Sequence, residues 1–117
     1  MTQSEREDMK VLITGSRSGK IETLQPYLPK ETTTVLCGGA KGVDADAKRL
    51  AEEMQIEVVE FLPDYKRYGR GAPIVRNGQM LDEADFVLAF WNGTSRGTAY
   101  VIEQCRKRGI PLRIIRI

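Results

Sequence analysis

Thr33-Thr34-Val35-Leu36-Cys37-Gly38-Gly39-Ala40-Lys41-Gly42-Val43-Asp44-Ala45-Asp46-Ala47 runs from β-branched and apolar residues through a glycine turn into helical spacing. Thr33 to Cys37 has the composition of a buried strand. Ala47, Leu50, Ala51 and Met54 then recur on one stripe, and the outer face carries Lys48, Arg49, Glu52 and Glu53. A strand that passes through such a turn into an amphipathic helix is half of a strand–helix–strand unit. Two other stretches repeat the pattern: Gly15-Ser16-Arg17-Ser18-Gly19 follows an apolar run over Lys10 to Thr14, and Gly93-Thr94-Ser95-Arg96-Gly97-Thr98 follows Phe86 to Trp91.

Working outward, Ile56 to Leu62 and Ile110 to Ile117 complete a set of five predicted strands. Helices are predicted from about Gly19 to Tyr27, Pro73 to Leu81 and Thr98 to Arg108. Pro26 shortens or kinks the first and Pro29 ends it. Gly109 stops the last, where Arg106, Lys107 and Arg108 complement the negative end of the helix dipole. Strands alternating with helices at this spacing predict the α/β class, a Rossmann-like three-layer fold around a five-stranded, mainly parallel sheet. Residues 1–9 read as a flexible N-terminal tail and 10–117 as a single domain. Pro63 to Pro73 reads as a polar loop long enough to cover a site, and its Tyr65, Lys66, Arg67, Tyr68 and Arg70 make it a cationic, aromatic lid candidate.

At 117 residues, one domain can bury roughly two thirds of its unfolded surface without a metal or a disulfide. The net charge of +2 is too small to mark a nucleic-acid binder, so any attraction for anions is local. The chain has no histidine, and Cys37 and Cys105 form no CxxC pair, which leaves them as buried free thiols and excludes a zinc site of the usual kind. No cofactor or metal is expected. No stretch has the length of a membrane span, and the start lacks the regions of a signal peptide, so the cytoplasm is the expected location.

In a parallel sheet the carboxyl ends of the strands lie side by side, so the three turns converge on one crevice lined by backbone N–H groups. Gly15, Ser16 and Arg17 belong to the first turn. Its Gly15-Ser16-Arg17-Ser18-Gly19-Lys20 is not a P-loop, because three residues separate the glycines and Ile21 follows the lysine. The dinucleotide pattern GxGxxG is absent too. The second turn offers Gly38, Gly39, Lys41 and Gly42, where paired glycines admit a close group. Asp44 is either the N-cap of the following helix or an acceptor for ribose hydroxyls, and both roles are open; Asp46 reads as structural. Arg76 and Asn77 enter the next helix beside the crevice. Asn92, Gly93, Thr94, Arg96, Gly97 and Thr98 supply the third turn, with Thr98 also a candidate N-cap and Trp91 a wall. The expected occupant is a nucleotide-like small molecule.

Gly38-Gly39-Ala40-Lys41-Gly42-Val43-Asp44, Arg76-Asn77 with Met80, and Arg96-Gly97-Thr98 together resemble the small YspA-like branch of the SLOG superfamily. That superfamily joins the DNA-processing protein DprA to the "Lonely Guy" phosphoribohydrolases and to nucleotide-sensing modules. The resemblance spans about Lys10 to Leu112. It implies a Rossmann-like domain that binds nucleotides or their derivatives, and homo-oligomers occur among such relatives. The Lonely Guy enzymes carry Gly-Gly-x-Gly-Thr-x-x-Glu, whose glutamate assists cleavage of the N-glycosidic bond. Here Val101 stands three residues after Thr98, and Glu103 is turned away by about 200°. Asn92-Gly93-Thr94-Ser95 also replaces the usual Pro-Gly-Gly.

Two functional readings follow. The preferred one is a binding module that senses or sequesters a phosphorylated nucleotide derivative. The alternative is a hydrolase or transferase acting on the N-glycosidic bond of a nucleoside monophosphate, with Asp44 the candidate catalytic group. DNA association by analogy with DprA is disfavoured by the modest charge.

Overall fold

A computed structural model describes residues 8–117, so the expected N-terminal tail lies almost wholly outside the described residues. The sheet consists of β1 (Met9–Gly15), β2 (Thr32–Cys37), β3 (Glu57–Glu60), β4 (Phe86–Trp91) and β5 (Leu112–Arg116). All neighbours are parallel, in the order β3-β2-β1-β4-β5. The chain thus runs outward from β1 to one edge and then returns to build the other half from β4. The switch of direction lies between β1 and β4, where an open parallel sheet leaves a crevice at its carboxyl edge.

Alternation along each strand divides the interior into two cores. Val11, Ile13, Val35, Leu88 and Phe90 face α1 (Val43–Glu53), which contributes Val43, Ala47, Leu50 and Ala51. Leu12, Leu36 and Val87 face the other way, against Met80 and Leu81 of α3 (Ala72–Glu83) and Val101 and Cys105 of α4 (Arg96–Arg108). Both faces of the central strands are covered, which explains their continuous apolar runs. The result is the Rossmann-like three-layer arrangement. Cys37 and Cys105 are free and buried, and no helix among the described residues is long and apolar enough to cross a membrane.

The first crossover departs from expectation, because no α-helix connects β1 to β2. Only a 3-10 turn forms, at Gln25–Tyr27, with Pro26 in its first positions. Pro26 cannot donate the backbone hydrogen bond that a helix interior requires, and Pro29 follows too soon for another start. Ile21 and Leu24 still enter the core, but from irregular chain. The Ile21 N–H donates to Asp46 Oδ2 at 3.0 Å, and the Tyr27 ring meets Phe90 edge-on at 5.4 Å.

The stretch after β3 is also more ordered than a loop. The one-turn helix α2 (Tyr65–Tyr68) is capped by Asp64, which accepts from the Arg67 N–H, and a 3-10 turn over Gly69–Gly71 leads into α3. β3 stops at Glu60, so Leu62 is left exposed. Two helix starts differ as well: Gly42 is the cap residue of α1 and Ser95 that of α4. Asp44 and Thr98 therefore sit inside their first turns, and neither caps its own helix.

Candidate functional site

A cleft of about 430 Å³ opens at the carboxyl edge of the sheet beside the β1–β4 switch. Gly15, Ser16 and Arg17 enter it from the end of β1, and Gly38 and Asp44 from the turn after β2 and the start of α1. Arg76 and Asn77 reach it from α3; Asn92, Gly97 and Thr98 come from the turn after β4 and the start of α4. The volume is in the usual range for small-molecule sites. The remaining expected residues, Gly39, Lys41, Gly42, Gly93, Thr94 and Arg96, do not line it. Nor do the five residues of the lid candidate, all of which are exposed on α2 and the 3-10 turn beyond it.

Ser16 ties the rim together. It is buried, its N–H donates to the Phe90 carbonyl, and its own carbonyl accepts from the N–H groups of Gly19 and Val43. Its Oγ accepts from the Asn92 N–H at 3.3 Å. β1, α1 and the turn after β4 are thereby joined through one residue.

The turn after β2 uses its backbone internally. Gly42 has φ +74°, and a Cβ there would lie 2.2 Å from the Arg17 carbonyl oxygen, so only glycine lets the two turns approach. Asp44 points back into the same turn, where Oδ2 accepts from the Ala40 N–H at 3.2 Å. The Gly38 N–H also stabilises the carboxylate. The Ala40 and Gly38 N–H groups are thus engaged by the protein's own carboxylate. Burial nonetheless pushes the Asp44 carboxyl above its ordinary value, against the pull of those N–H groups, Arg76 and Arg17.

Arg76 is a strut before it is a ligand contact. Its Nη1 donates to the carbonyls of Gly38 and Phe61, at the ends of the two outer strands on that side, and its Nε to Asn77 Oδ1. Burial pushes its guanidinium below the ordinary arginine value, and Asp44 nearby opposes that shift. Cys37 lies beneath; burial first, then Asp44 and Glu60, push its thiol up to about 11, so it supplies no thiolate near neutrality.

The turn after β4 is arranged differently. Asn92 Oδ1 accepts from the N–H groups of Thr94 and Ser95 at 2.9 and 2.8 Å and from the Thr94 hydroxyl at 3.1 Å. Thr94 is thus a turn residue, and the group Asn92 can offer a ligand is its amide nitrogen. The Trp91 indole donates to the Ser95 carbonyl at 3.0 Å, fixing the start of α4. The N–H groups of Arg96, Gly97 and Thr98 occupy the first helical turn, where no intrahelical acceptor exists, and Thr98 Oγ1 lies 3.3 Å from Ser95 Oγ. Here the helix end is an anion-attracting surface.

Ser18, Ala40 and Ser95 of the three turns, and Pro73 and Met80 of α3, also line the cleft. Pro73 and Met80 share a helical face with Asn77, a spacing that the sequence does carry. Chemically, the cleft pairs a donor-rich side, formed by Arg17, Thr98 and the α4 start, with one buried carboxylate.

The Gene 61 protein of Mycobacterium phage D29 is 36% identical to this chain over 116 residues, covering 88% of this chain and 93% of the phage protein. The chain belongs to the family of that phage protein. No protein-family model and no solved structure matches the chain.

Proposed function

We propose that this protein binds a phosphorylated, nucleotide-derived ligand at the carboxyl edge of its sheet, as a sensing or sequestering module of the SLOG superfamily's YspA-like branch. The observation that carries the reading is a single cleft in which Arg17 and the start of α4 accompany the buried Asp44 carboxylate. The first side suits a phosphate, which accepts hydrogen bonds and favours a helix N-terminus. The carboxylate suits a donor, and a ribose hydroxyl supplies one beside every nucleotide phosphate. Val101 supports binding over turnover, because the position of the Lonely Guy glutamate is buried in aliphatic packing against the sheet.

Native mass spectrometry of the protein from cells, before and after denaturation, tests this reading and counts the subunits of any homo-oligomer. A co-purifying phosphorylated nucleotide derivative is expected, and Arg17→Ala, an exposed position, loses it without loss of fold. Isothermal titration with AMP and ADP-ribose adds a direct measurement; no heat with either and no retained compound would overturn the proposal. Turnover is the competing outcome. Release of free base from AMP that disappears in Asp44→Asn, with binding kept, would establish the hydrolase or transferase instead.

A further inference from the structure

Pro73, Asn77 and Met80 reach the cleft from α3 at i, i+4 and i+7, so they form one stripe along the helix. Met80 is buried and Pro73 half-buried, which makes the stripe two apolar surfaces with a single amide between them. That composition suits a flat ring: apolar groups give contact area and one polar group fixes orientation.

The orientation of the amide is set by its neighbour. Arg76 Nε lies 3.0 Å from Asn77 Oδ1. An arginine Nε can only donate, so the atom facing it must be the carbonyl oxygen. With Oδ1 turned toward Arg76, the group that Asn77 presents on its other side is its nitrogen, with hydrogens to give and no lone pair to accept with. Arg76 is itself anchored to the carbonyls of Gly38 and Phe61, so a flip of the amide would face an arginine that cannot follow it.

We infer that the Pro73–Asn77–Met80 stripe holds the base of the ligand, and that Asn77 reads it as a donor only, selecting an oxo-substituted base over an amino-substituted one. This rests on the nucleotide reading of the same cleft. A ring carbonyl accepts from the amide nitrogen. An exocyclic amine at that place sets donor against donor and strips both of water, which costs more than a missing bond in the open.

Inosine and adenosine 5′-monophosphates carry oxo and amino groups at the same ring position, and the uridine and cytidine monophosphates repeat the contrast on a smaller ring. Isothermal titration of the full chain should find the oxo member of each pair bound about tenfold more tightly. Asn77→Asp keeps the oxygen that Arg76 holds and turns the remaining donor into an acceptor, so it should reverse the order within each pair. A purely structural Asn77 would weaken all four alike. If the amino members bind as tightly in the wild type, the inference falls and the nucleotide reading stands; this arm does not depend on the folding of any variant. Equal weakening of all four by a folded Asn77→Asp also overturns it. If none of the four binds, the inference falls, and the nucleotide reading is decided separately by the retained compound and the ADP-ribose titration.

Discussion

The turn after β2 and the turn before α4 look alike in sequence, each a glycine-bearing link into a helix, yet they spend their backbone in opposite ways. In the first, the α-carbon of Gly42 packs against the Arg17 and Ser16 carbonyls, and the Ala40 N–H is taken by Asp44. In the second, Asn92 gathers the N–H groups of Thr94 and Ser95, and the next three, at the helix start, have no intrahelical acceptor. A glycine pattern marks where the chain comes close to something. It does not say whether that something is a ligand or the protein itself.

Substitutions at the two turns should separate these uses. Gly42→Ala should have the largest effect, because a left-handed φ and a backbone oxygen 2.2 Å from the new Cβ cannot both relax. A loss of about 3 kcal/mol or more, read by urea denaturation, is expected; a loss below about 1 kcal/mol would mean that the two turns do not truly touch.

Asp44→Asn acts in the other direction. Because burial raises the folded carboxyl above its ordinary 3.8, the native state holds that proton more tightly than the unfolded chain does. Wild-type stability therefore falls as the pH rises through that interval. The asparagine variant should be the more stable of the two at neutral pH, and the gap should close as the pH is lowered toward 3.8. Thermal melts across that range read it directly, and a destabilised variant at pH 7 would show that the carboxylate contributes more to the turn than its burial costs.

Gly97→Ala should have the smallest effect on folding. A Cβ there meets nothing within 4 Å, and the position is helical, so a gain of roughly 0.5 kcal/mol is expected. The same methyl group projects beside the proposed phosphate, and titration should find weaker binding despite the firmer fold. Unchanged affinity would move the phosphate away from the start of α4.

What the sequence disclosed follows the same division. Phe86 to Trp91 was legible residue for residue, because a strand covered on both faces has no choice but an unbroken apolar run. The first crossover was not. Ile21, Leu24 and Leu28 have helical spacing, but the sheet needs only their side chains, and Pro26 lets irregular chain deliver them. Asp44 was recognised as important while its direction was hidden, since the N–H groups it accepts lie behind it in the chain. The lid residues read as site-facing because cations and tyrosines beside a crevice invite that placement. α2 and the 3-10 turn after it instead hold them outside the cleft, with Arg67 over Tyr68 at 5.5 Å.

Ser16 bears a consequence for how quickly and how tightly the proposed ligand would be accepted. With its amide, carbonyl and hydroxyl each engaged by a different part of the rim, no segment there can reorganise without disturbing the others. The entropy of arranging these loops is thus lost during folding and not at the moment of encounter. Recognition should resemble the filling of a ready mould, with little heat-capacity change beyond that of the surface covered.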